Sequence, residues 1–174
     1  MNTQTTQEAD NAVQQAQRKV IKRMLSDPSA ATSKITTQGR VKTGLTCTVR
    51  EGKFTAVTDL GYGMGGAAAG PSPGFYARTA IAGCVAIGVK MAAAREGISL
   101  RMVDVTVSTD FDDLAIFGLG DSTAAPVETQ ILIRVDTDAS RQTVSDLVER
   151  VLEMDPWFLA LRDPQTVVTR LELG

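Results

Sequence analysis

Apolar residues recur at helical spacing early in the chain, at Ala9, Val13, Ala16, Val20 and Met24, until Pro28 breaks the pattern. Thr5 and Glu8 stand at capping-box spacing, so a helix is predicted over residues 6–26. Arg18, Lys19, Lys22 and Arg23 occupy its last turns, where they favour the negative end of the helix dipole. Its polar face is Gln-rich rather than uniformly basic, which favours packing on its own domain or on a partner subunit over membrane or calmodulin-type binding. From Ser33 to Asp59 the period changes to two. Leu45, Cys47 and Val49 alternate with Thr46 and Thr48, and Glu51-Gly52 forms a tight turn before Lys53, predicting a hairpin or short meander. A Gly-rich stretch, 61–73, then feeds a small-residue helix from Pro73 to Glu96, with Ser72 as N-cap and Pro73 in the first turn.

Gly97 ends that helix, and residues 101–109 and 127–136 then alternate as two half-buried strands. Their connection is longer than compact domains usually need; its Phe111, Ile116, Phe117 and Leu119 suit either a lid or a short docked helix or hairpin extension. Residues 140–154 form an amphipathic helix with Val144, Leu147, Val148, Val151 and Leu152 on one side, stopped at Asp155-Pro156. A short apolar segment, 157–161, follows, and 166–173 reads as a final strand. The pattern is α+β: an N-terminal amphipathic helix over 1–28 and one main domain over 29–174.

Composition narrows the function by exclusion. A formal net charge of −2 over 174 residues gives no electrostatic reason to expect nucleic acid or an anionic membrane as partner. With no histidine, Ser-His-Asp and Cys-His catalysis within one chain are excluded, and the commonest metal ligand is missing, so no metal or cofactor is expected. Cys47 and Cys84 form neither a CxxC pair nor a secreted disulfide framework, and the polar N-terminus lacks a signal-peptide layout; a reduced, cytoplasmic setting fits. The apolar tract 61–94 is interrupted by Arg78 and Lys90 and reads as a poor membrane span.

Ala80, Cys84, Gly88 and Ala92 fall four apart and form one ridge of small side chains. Such a ridge suits close helix crossing, either between two subunits or against another element of the same chain. A cysteine in this setting is most often a small packing residue; a reactive one requires solvent access and a nearby cation. Cys47, alternating with Leu45 and Val49, is expected to face the core.

Asp59, Gly65-Gly66, Gly70-Pro71-Ser72-Pro73 and Cys84 on a helix running into Met91-Ala-Ala-Ala-Arg-Glu-Gly-Ile98 together resemble the OsmC/Ohr family over residues 33–173. The resemblance implies a curved antiparallel sheet wrapped on a long central helix, in an intertwined homodimer with its site at the interface. It also implies reduction of organic hydroperoxides, in the manner of a peroxiredoxin, by a cysteine at the position of Cys84. A second cysteine then captures the sulfenic acid.

The sequence departs from that pattern in three places. Asp155-Pro156 stands where the resolving cysteine precedes its proline, Gly74 where a glutamate follows Pro73, and Thr46 in the register of the supporting arginine, with Arg40 and Arg50 nearby. Without the second thiol, the sulfenic acid needs an external dithiol, and an Asp155 carboxylate close to Cys84 would raise the thiol pKa. Two functions follow as expectations: a one-cysteine peroxidase working through Cys84, or a non-catalytic dimer that binds a small hydrophobic molecule or serves a structural role.

Overall fold

The computed structural model describes residues 3–173, with side chains from Thr6 onward. Helix α1 spans Thr3–Ser26, so Thr5 lies inside it rather than at its N-cap. Three strands follow, β1 (Gln38–Val41), β2 (Cys47–Glu51) and β3 (Phe54–Thr58), and then α2 (Pro73–Glu96). The remainder comprises β4 (Met102–Asp110), the one-turn helix α3 (Asp113–Ile116), β5 (Glu128–Asp136), α4 (Arg141–Leu152) and α5 (Pro156–Arg162). The chain forms two compact units: residues 12–80, and the described residues up to Asn11 together with those from Ile81 onward.

In the first unit, β1, β2 and β3 form an antiparallel meander, the longer of the two alternatives the alternation allowed. Gly52 takes φ +53° in the β2–β3 turn, a conformation that costs glycine least. The Gly-rich stretch beyond β3 folds around one side chain. Buried Asp59 accepts the Thr46 hydroxyl at 2.7 Å and the backbone N–H groups of Leu60 (2.7 Å), Ala67 (3.3 Å) and Ala69 (3.3 Å). A carboxylate can accept this many donors, and these loop amides would otherwise lack partners. Close approach dictates glycine here. A Cβ on Gly66 would collide with the Leu60 carbonyl, and one on Gly70 with the Val57 carbonyl.

In the second unit, β4 and β5 pair antiparallel over their whole length, from Met102↔Asp136 to Asp110↔Glu128. The predicted alternation holds residue by residue, with Val103, Val105, Ile133 and Val135 turned to the core and Met102, Asp104, Leu132 and Arg134 exposed. Val85, Val89, Ala92 and Ala93 of α2 meet Leu100, Leu147 and Val151 there. Burying such side chains contributes roughly 1.5–3 kcal/mol each for the larger ones. On length and composition alone α2 would satisfy a membrane span, but this face is filled by the core of its own unit. Asp10, buried on α1, pairs with the Lys90 ammonium at 3.0 Å, and Lys90 also donates to the Leu100 carbonyl at 2.6 Å.

Three expectations require correction. Residues 166–173 form no strand: among the described residues no partner strand is paired with them, and Val167, Val168, Leu171 and Leu173 are exposed. Alternation alone cannot hold a strand whose backbone groups have no ladder to join. Among the described residues the strands also make two sheets, of three and two strands, rather than the single curved sheet that the resemblance implies. Finally, the 111–119 connection does contain a short helix, capped by Asp112, but it is not docked: Phe111, Leu114, Ile116, Phe117 and Leu119 are all exposed.

Candidate functional site

Ser72 caps α2 by accepting the Phe75 N–H at 3.3 Å, with Pro73 at the first helical position, as the sequence predicts. Cys84 lies on this helix one residue before buried Val85 and is itself half-buried. One turn later, a Cβ on Gly88 would lie 3.1 Å from Val151 Cγ1 and 3.8 Å from Asp155 Oδ2. The small-residue ridge is therefore explained at Gly88 and Ala92 by packing within the chain, where the end of α4 crosses closely.

Asp155 is the residue that gives the site its character. The sequence marks Asp155-Pro156 as the stop of α4, and the structure adds a second role: Asp155 is the N-cap of α5, with Pro156 at its first position. Its carboxylate accepts the N–H groups of Trp157 (3.0 Å) and Phe158 (2.8 Å) and is buried. The signal was present as Asp followed by Pro, the N-cap and first-turn pair. Burial pushes the Cys84 thiol above its ordinary value, and the negative charge of Asp155 raises it further. Both effects disfavour the thiolate, the nucleophilic form.

The other departures also have a place. The Thr46 hydroxyl is committed to Asp59, and that bond, ahead of the opposing effect of burial, holds the Asp59 carboxyl below its ordinary range. Sequence reasoning noticed Asp59 only as part of a motif; the signal for its role was a lone acid preceding a run of glycines and alanines that needs an acceptor. At Gly74 an added Cβ would lie 3.3 Å from Arg78 Nη1, so the guanidinium covers the space a side chain would take. Arg40 and Arg50 lie on the meander and are exposed. Cys47, on β2, is half-buried, its thiol directed to the Thr48 carbonyl at 3.9 Å, and both cysteines are free. Among the described residues no group of three Cys, Asp or Glu side chains could hold a metal ion.

A family model described as OsmC-like protein matches residues 65–170. The fold is similar to that of the OsmC like protein from Mycoplasma pneumoniae, with TM-score 0.64 and 14% identity over 75% of this chain and 88% of that one. It is also similar to an organic hydroperoxide resistance protein OsmC from Legionella pneumophila (TM-score 0.55, 15% identity, 75% of this chain and 90% of that one). A third similar structure is the organic hydroperoxide resistance protein OhrB of Bacillus subtilis (TM-score 0.50, 16% identity, 75% and 91%). No curated protein matches the chain in sequence.

Proposed function

The chain belongs to the OsmC-like protein family, and on that premise we propose that Cys84 is the reactive thiol of a one-cysteine reductase of organic hydroperoxides. The observation that carries this reading is the free cysteine Cys84 on α2, only partly buried and inside the family match. The thiolate sulfur attacks the terminal oxygen of R–O–O–H; the O–O bond breaks, an S–O bond forms, and the alkoxide leaves and takes a proton to become the alcohol. Sulfur is oxidised by two electrons to sulfenic acid. One thiol of an external dithiol displaces water from it, and the other releases Cys84 from the mixed disulfide. We place this chemistry in a cytoplasmic, intertwined homodimer. The exposed, unpaired segment 166–173 and the two separate sheets support pairing with a second copy.

Burial and Asp155 oppose formation of the thiolate, so the reaction is slow near neutrality and accelerates as pH rises. The test is loss of cumene hydroperoxide in the presence of excess dithiothreitol, at intervals between about pH 7 and about pH 10. Turnover that rises with pH and is absent in Cys84→Ser supports the proposal. Equal, background loss in both proteins across the range refutes it. That result would favour the second reading, a non-catalytic binder of a small hydrophobic molecule, for which the second unit offers an apolar groove of about 600 Å³ lined by Ile131, Ile133, Leu152, Phe158 and Leu161.

A further inference from the structure

We propose that the polar face of the β1–β2 hairpin is a binding site for a phosphate-bearing ligand, and that this binding is independent of Cys84 chemistry. The register sets Gln38 opposite Arg50 and Arg40 opposite Thr48, so these four side chains share one face of the meander. Lys42, one residue past the end of β1, and Thr46, one before the start of β2, continue the same alternation. With Thr43 they line a concavity of about 520 Å³. The other face carries Gly39, Val41, Cys47 and Val49.

An ordinary solvated sheet face mixes charges of both signs. This one has three cations and no carboxylate in its lining. Nor is the charge spent elsewhere: Arg101, Arg134, Arg150 and Arg162 all form ion pairs, whereas among the described residues Arg40, Lys42 and Arg50 form none. Two acids on the meander and just beyond it are already engaged. Glu51 accepts the Thr37 hydroxyl, and Asp59 is buried beneath Thr46 with four donors of its own. The Thr46 hydroxyl thus already donates its hydrogen bond to Asp59, but the Thr43 and Thr48 hydroxyls and the Gln38 amide make no hydrogen bond to described residues and are available as donors.

Spacing selects the ligand. Arg40 and Arg50 are diagonal neighbours, with backbones roughly 7–8 Å apart, and Arg40 and Lys42 are separated by about 6.6 Å along the strand. Two guanidinium forks and an ammonium at this spacing bracket one phosphate or a linked pair, each fork offering paired N–H groups to two oxygens. The concavity and its three cations suit a compact anion. A nucleic-acid backbone would need a longer basic track, and the chain is net acidic.

The experiment is calorimetric titration of the full chain with inorganic pyrophosphate at low salt, together with cosedimentation on phosphatidylcholine vesicles with and without phosphatidic acid. Pyrophosphate binding should weaken about tenfold or more in Arg40→Gln and in Arg50→Gln, less in Arg50→Lys, which keeps the charge but loses the fork. It should also weaken by about an order of magnitude when salt is raised from roughly 20 to roughly 200 mM. Binding of pyrophosphate that the substitutions abolish assigns the site to soluble phosphates. Vesicle binding that depends on phosphatidic acid and on both arginines assigns it to a headgroup. Absence of both, or binding unchanged in the Arg40→Gln/Arg50→Gln double variant, overturns the proposal. Both arginines are exposed, so unchanged thermal melting verifies that the variants are folded. The titration is repeated in Cys84→Ser, where binding should persist; its loss there would overturn the claim that the site is independent.

Discussion

Asp155 holds two roles that can be separated by substitution. In Asp155→Ala the N–H groups of Trp157 and Phe158 lose the acceptor that now stands 3.0 and 2.8 Å away. Loss of an N-cap costs about 0.5–2 kcal/mol, and two donors stranded at a buried position place the cost near about 2 kcal/mol. For a chain of this length, each kcal/mol moves the melting temperature by about 2–4 °C, so Asp155→Ala should melt about 4–8 °C below the parent. Asp155→Asn keeps a capping oxygen and loses the charge–dipole attraction, worth about 0.3–1 kcal/mol, for a fall of about 1–4 °C. Cys84 responds differently. Both substitutions remove the negative charge that raises its thiol, so in both the thiol titrates at lower pH than in the parent, though still above its ordinary value, because burial is the larger cause and remains. Thermal melting reads the first effect. The rate of iodoacetamide alkylation against pH, in a Cys47→Ser background, reads the second. Parent-like melting of Asp155→Ala would refute the capping argument, and alkylation midpoints coincident with the parent would refute the electrostatic one.

Leu147→Ala, at a fully buried position, should destabilise by about 2–5 kcal/mol in urea denaturation. Gly70→Ala should cost on the order of 3 kcal/mol or more, because the new methyl meets the rigid Val57 carbonyl and not a flexible side chain; near-parental melting would contradict that geometry. The folded Asp59 carboxyl is held below its unfolded value of about 3.9, so it contributes stability above that pH which is lost as pH falls through the lower folded value. Asp59→Asn should therefore show a shallower fall in urea midpoint on acidification than the parent.

What the sequence made legible was local. The alternation of Val103, Val105 and Val107 placed β4, and the Leu147–Val151 spacing placed the buried face of α4, because each pattern is read within a few residues of itself. Ser72-Pro73 marked the start of α2 for the same reason. What was not legible depends on contacts between distant residues. Thr46 and Asp59 are 13 positions apart, and nothing in either neighbourhood announces their bond. The segment 166–173 has the right alternation and lacks only a partner, which no local pattern can supply. For the candidate site, the sequence identified Cys84 and Asp155 as positions to watch and anticipated the sign of their interaction. It did not identify Asp155 as a cap, because Asp-Pro serves equally to end one helix and to begin the next.

The junction between α4 and α5 also carries its own optical probe. Trp157, the only tryptophan in the chain, is half-exposed and attached to Asp155 through its backbone N–H. Its emission reports on this corner with no competing signal from another indole. A blue shift or a change in quenching by iodide on oxidation, ligand addition or concentration would localise the event to within a few residues of the capping carboxylate, without any label.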